Sequence, residues 1–267
     1  WVTVLDVSLE RNRPALMALL ERGVRVRYFD HHAAGEVPSH PGFEPHIDES
    51  AEVCTSILVD RYLQGRFRVW AVVAAFGDGM PEAARRLASD LNLEAAPLAA
   101  LRALGENLNY NAYGDDEADL LVPPAQLYRS VSRFSDPFRL LDEESLLKRL
   151  DQERRADLAR AMALAPHRNS GHADAYVLPN AHWARRVIGS FANQLAVAAP
   201  ARVHAVVAPN TRGGYTISVR APSGDEFSVA RFCRAFGGGG RRSAGGIDHL
   251  VPARLDALLD ALERGVE

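Results

Sequence analysis

The sequence predicts a two-domain α/β protein: a parallel-sheet domain over residues 1–164 and a smaller α/β domain over residues 165–267. Three observations carry this. The chain has 267 residues, more than a single hydrophobic core usually organises. Strand-like apolar runs alternate with helical periods in its first part, the pattern of βα units on a parallel sheet. Beyond residue 165 the texture shifts to short strand-like runs separated by turn residues.

Trp1 to Leu5 reads as a strand with Asp6 at its carboxyl end. It begins with no polar lead-in, cap or turn, so residues preceding Trp1 are expected, because domains rarely open inside their core. Leu9, Leu16, Leu19 and Leu20 follow on a helical period that Gly23 stops. The run VRVRYF is the next strand and ends at Asp30-His31-His32. A loop rich in Pro, Gly and His leads to Ser50, and a helix is expected over roughly residues 52–63. VWAVVAAFGDG delivers Asp78 between two glycines. Periodicity alone leaves residues 69–76 open between strand and buried helix. Residues 82–160 read as mostly helical, closing with a long charged helix whose acids lead and arginines trail, as the helix dipole favours. APHRNSGHADA reads as a linker. AYVLP, RVHAVVAP and GYTISVRAP read as strands, followed by a glycine-arginine run and a short terminal helix.

A formal charge of −3, with 47% hydrophobic and 24% charged residues, excludes a global basic footprint and so stable binding to long DNA. No apolar run approaches the ~20 residues of a membrane span. Cys54 and Cys233 fall in no metal-binding spacing, which with the absence of a signal-peptide pattern points to a reducing compartment, the cytoplasm.

Asp6, the Asp30-His31-His32 run and Asp78 all fall at ends of predicted elements. Carboxylates with imidazoles suit manganese. A bridging carboxylate can hold two metals roughly 3.5–4 Å apart for an in-line phosphoryl displacement. Taken singly, each feature has a plainer explanation, a helix cap or a structural histidine.

VLDVS, YFDHH and FGDG resemble the second, third and fourth motifs of the DHH phosphoesterase family. FGGGGRRSAGG resembles the glycine motif of its associated C-terminal domain. The resemblance implies a manganese-dependent hydrolase acting on short oligonucleotides or cyclic dinucleotides, as nanoRNases and cyclic-dinucleotide phosphodiesterases do. It implies Asp6, His31 and Asp78 as metal ligands and Asp30 behind the His31 imidazole. It places His32 at the scissile phosphate and makes a metal-activated water the nucleophile. The C-terminal domain would close over the metals. The family's first motif, paired aspartates before a glycine, does not occur in this chain. Its two-metal site is therefore expected to hold one ion or none here.

Four arginines and no acid lie between Phe227 and Gly246. Gly238, Gly239 and Gly240 would let backbone N–H groups approach a phosphate, and Arg241 stands where the family usually has histidine. Arg220 matches a position that contacts substrate in the family. Two rivals stand beside this reading: a pyrophosphatase or polyphosphatase of the same superfamily, and a catalytically silent nucleotide-binding protein. The expected partner is a short nucleotide phosphodiester, and a homodimer is compatible with it. His40 and His46, close to the triplet in sequence, are expected to be bystanders. Cys54, Thr55 and Ser56 read as an ordinary helix N-terminus.

Overall fold

A computed structural model describes residues 1–50, 52–222 and 227–265. In chain order the elements are β1 (Val2–Leu5), α1 (Leu9–Glu21), β2 (Val26–Asp30), β3 (Phe43–Ile47), α2 (Thr55–Tyr62), α3 (Arg68–Gly77), α4 (Pro81–Ser89), α5 (Ala95–Tyr110), α6 (Pro124–Val131), α7 (Pro137–Glu143) and α8 (Ser145–Met162). There follow β4 (Arg168–Asn169), β5 (Ala173–Val177), α9 (His182–Ala198), β6 (Val203–Pro209), β7 (Tyr215–Arg220), α10 (Val229–Ala235), β8 (Gly239–Gly240), β9 (Ala244–Leu250) and α11 (Leu255–Arg264). The fold is α/β, and the chain forms two compact units.

The first unit comprises Trp1–Asn109 and Val131–Leu147. Its sheet runs β1-β2-β3, all parallel. Helix α1 crosses between β1 and β2 and buries Leu9, Leu16 and Leu20 against Val26, Tyr28 and Phe43. The register sets Leu5 beside Phe29, and the Asp6 N–H donates to the Phe29 carbonyl at 3.0 Å. The carboxyl ends of β1 and β2 are thereby held side by side, so the sheet itself brings Asp6 next to the Asp30-His32 run.

Residues 69–76, open between two states in sequence, lie in helix α3, which buries Ala71, Val72, Val73, Ala75 and Phe76. Burial on several sides explains the unbroken apolar run. Helix α5 crosses α3 at a pair of glycines. A Cβ on Gly105 would collide with the Val73 carbonyl and lie 2.8 Å from the Gly77 nitrogen. This close approach holds the last turn of α3, and Asp78 caps it. Gly105→Ala should force the helices apart and cost on the order of 1–3 kcal/mol. Urea unfolding checks the cost, and an unchanged midpoint would contradict the close contact.

The second unit comprises Tyr110–Ser130 and Lys148–Glu267. Its sheet has the order β4-β5-β6-β7-β9-β8, with β5 and β6 parallel and the other pairs antiparallel. Strand β6 shows the two-residue period of a sheet covered on both faces. Val203, Ala205 and Val207 pack with Phe232, Leu258 and Leu259 of α10 and α11. Val206 and Ala208 pack with Val187 and Phe191 of α9.

Several expectations need revision. The units do not divide once at residue 164/165. Ala161 is buried with the α9 core and Leu158 and Leu164 pack on it, so α8 from Lys148 onward belongs to the second unit. The loop before Ser50 contains β3, an edge strand that tolerates Pro45 because it pairs only with β2. The linker contains β4 and the start of β5. Helix α9 lies outside the expected elements, although Ala184, Val187, Ile188, Phe191 and Leu195 recur on a helical period, and Arg185 and Arg186 are buried beside them.

Candidate metal centre

Asp6 follows β1 with φ at 60°, a left-handed conformation that aspartate tolerates better than most residues but that still stores strain. Its side chain is 61% exposed. The Thr55 hydroxyl, in the first turn of α2, donates to Asp6 Oδ1 at 2.8 Å. His31 Nε2 lies 3.4 Å from the same oxygen. On its other side, His31 Nδ1–H donates to the Val53 carbonyl at 3.0 Å, which leaves Nε2 as the ligating nitrogen.

Asp30 is fully buried. A carboxylate removed from water must be matched by donors, and four are present. The Leu9 N–H donates to Oδ2 at 3.0 Å; the N–H groups of His31 and His32 donate to Oδ1 at 2.9 and 3.2 Å. The fourth is His32 Nδ1–H, 2.7 Å from Oδ1. The first of these comes from the amino end of α1, where the helix dipole favours an anion. The imidazole that Asp30 orients is therefore that of His32, not that of His31, whose ring is held by a backbone carbonyl. The His32 ring is half-exposed, and among the described residues its Nε2 has no hydrogen-bond partner.

Ligand atoms of Asp6, His31 and His32 all lie within 4.8 Å of one another. Among the described residues Asp78 stands outside that group and His32 lies within it. Asp78 does share a cavity wall with Asp6 and Thr55, in a space of about 520 Å³ walled mainly by apolar residues such as Val59, Leu63, Trp70 and Leu108. The Asp6 carboxylate and the His31 imidazole, its ring tethered through Nδ1, are donors that fit a borderline-hard divalent cation, and the His32 ring stands beside them.

Other candidates fall away. His46 stacks on Phe29 at 4.5 Å and pairs with Glu44, while His40 Nδ1 accepts from the Gly42 N–H. Burial pushes the Cys54 thiol up, away from the thiolate a nucleophile needs. Thr55 and Val53 were missed in sequence. A backbone carbonyl has no side-chain signature, and nothing marked Thr55 apart from any first-turn hydroxyl.

In the second unit, Arg220 is held by neutral oxygens among the described residues. Its Nε donates to Asn193 Oδ1 at 2.7 Å, and its Nη1 donates to Ser218 Oγ and to the Val219 carbonyl. Burial lowers its pKa. The Gly238 N–H donates to the Cys233 carbonyl at 2.8 Å, and the Arg241 N–H to the Ala244 carbonyl at 2.7 Å. A Cβ on Gly238 or Gly240 would strike β9 at Gly246 or Gly245. These glycines thus answer first to the packing of β8 on β9, and the Gly238 N–H, one of those expected to face an anion, is already used. Gly239 has open space around its Cα. The Arg241 side chain is exposed and makes no hydrogen bond or ion pair among the described residues.

Comparisons with protein-family models and with curated proteins give no match. Solved structures do. The DHH domain of a member of the s1p family of ribosomal proteins superposes with a TM-score of 0.67 at 13% identity, covering 98% of this chain and 68% of that one. RecJ from Thermus thermophilus, solved in complex with Mn2+, superposes with a TM-score of 0.57 at 19% identity. That match covers 98% of this chain but only 44% of RecJ. The chain has the fold of the DHH-family proteins.

Proposed function

We propose that this protein is a divalent-metal-dependent phosphoesterase that hydrolyses phosphodiesters in short oligonucleotides or cyclic dinucleotides, with manganese as its working ion. The observation that carries the reading is the convergence of Asp6, His31 and His32 at the carboxyl ends of two neighbouring parallel strands, where open α/β sheets place their ligands. The RecJ structure it resembles was solved with Mn2+.

Asp6 and His31 would hold the cation, and Asp78 adds a carboxylate to the same cavity. A divalent cation bound there supplies Lewis acidity toward a phosphoryl oxygen and acidifies water. His32, its Nδ1 fixed on buried Asp30, presents Nε2 toward charge on the phosphate. In the second unit, the exposed Arg241 guanidinium and Arg220, whose partners among the described residues are neutral, are suited to the substrate's phosphates. With the formal charge at −3, a short substrate fits better than a long duplex. Among the described residues no helix is long and apolar enough to cross a membrane. A cytoplasmic site of action belongs to the same proposal.

The test is a Mn2+-supplemented screen against RNA and DNA dinucleotides, cyclic dinucleotides and pyrophosphate. Cleavage of a phosphodiester is expected. Hydrolysis of pyrophosphate alone would transfer the protein to the first rival class, and nucleotide binding without turnover to the second. Arg241→Ala should weaken substrate binding tenfold to a hundredfold, about 1.5–3 kcal/mol for a charge-assisted contact. Arg242→Ala should cost less; equal and negligible effects would leave the loop a purely structural hairpin.

A further inference from the structure

We infer that Thr55 is a positioning residue: its hydroxyl fixes the Asp6 carboxylate in the orientation that receives a divalent cation. The inference rests on the metal reading proposed above and adds a residue to it.

Asp6 has little else to hold it. It follows a strand in a left-handed conformation, with its side chain largely exposed among the described residues. A carboxylate in that setting samples several rotamers, and a ligand that must first be ordered binds its ion more weakly. Apart from the 3.4 Å approach of His31, the described partner of Asp6 is Thr55, 49 residues away in sequence. Thr55 is itself buried at 7% exposure and stands on a helix, so its hydroxyl is a fixed point. Because an ionised carboxylate only accepts, the hydroxyl donates to it. That bond occupies one lone pair of Oδ1 and leaves the second lone pair and Oδ2 for a cation.

Two residues earlier, the Val53 carbonyl turns the His31 ring so that Nε2 faces Asp6. The three-residue entry to α2 therefore sets both first ligands. Cys54, between them, interacts instead with Ser56. Such outer partners of metal ligands govern affinity without touching the ion.

Thr55→Val keeps the volume and β-branching of the side chain and removes only the hydroxyl, while Thr55→Ser keeps the hydroxyl. Mn2+ titration followed by electron paramagnetic resonance should show Thr55→Val binding roughly ten- to a hundredfold more weakly than wild type, with Thr55→Ser within about threefold of it. Crystal structures of the metal-free proteins give a second readout. The Asp6 carboxylate should turn away in Thr55→Val and keep its place in Thr55→Ser. Absence of Mn2+ binding by wild type would overturn the metal reading. An Asp6 that keeps its orientation in Thr55→Val would overturn the role of Thr55, whichever way the titration runs.

Discussion

Asp6→Asn should abolish divalent-cation binding at the sheet edge and with it phosphodiester hydrolysis. Asparagine tolerates the same left-handed backbone and its side-chain carbonyl still accepts from Thr55, so the fold should survive. What disappears is the single negative charge in the group of Asp6, His31 and His32. Lewis-acid stabilisation at such a centre is worth several kcal/mol, so turnover should fall by about 10³-fold or more. His32→Ala supplies the contrast. The removed ring leans on Asp30 and faces outward, so the variant should keep most Mn2+ affinity and lose turnover. Titration with Mn2+ beside steady-state kinetics separates the two. Wild-type Mn2+ binding by Asp6→Asn would show that the cluster is not the metal centre.

The second large effect is on stability and lies far from any proposed chemistry. Asp157 is fully buried and accepts from the Tyr110 hydroxyl, from Arg186 at 2.8 Å and from Arg160 at 3.0 Å. Arg186 also donates to the Asp119 carbonyl, tying α9 to α8 and to the turn around Asp119. Asp157→Ala would leave the Arg186 guanidinium in the interior without its anion. Breaking a buried pair in this way typically costs about 3–5 kcal/mol. For a unit of this size that corresponds to a fall in Tm on the order of 10 °C. Calorimetry checks it, and a shift of only a degree or two would mean that water reaches Arg186.

Asp119 gives the same unit a pH signature. Burial alone would push its carboxyl up, but hydrogen bonds from Arg185, the Asp115 N–H and His182 outweigh it and hold the group well below the usual carboxylate range. A lowered folded pKa stabilises the unit fully above the unfolded value of roughly 4. The contribution is lost only as pH falls through the lower folded value. Acid unfolding of wild type and Asp119→Asn should therefore diverge most above pH ~4 and converge in stronger acid.

Much of the fold is legible because it is written locally. Strand β1, helix α1 and strand β2 carry their periods in consecutive residues, and the charged run of α8 announces a helix without reference to anything it touches. The ends of these elements already place Asp6, Asp30, His31 and His32 near one another in the βα pattern. Strand β3 is hidden because an edge strand bonded on one side can contain Pro45 and polar residues. Helix α9 carries its apolar period locally in Val187, Phe191 and Leu195, whereas the partners that let Arg186 be buried, Asp119 and Asp157, are 67 and 29 residues distant.

The roles within the site were a tertiary matter. DHH is three adjacent residues, and sequence alone cannot say which histidine the aspartate holds. The answer depends on where the strand ends, on the four donors that converge on Asp30, and on a carbonyl from Val53 that claims the other ring. The residue types and their order were determined by the sequence itself. The orientation of each ring, and of the Asp6 carboxylate, was decided by hydrogen bonds from residues up to 49 positions away, because a metal site needs directed lone pairs and only packed neighbours can direct them.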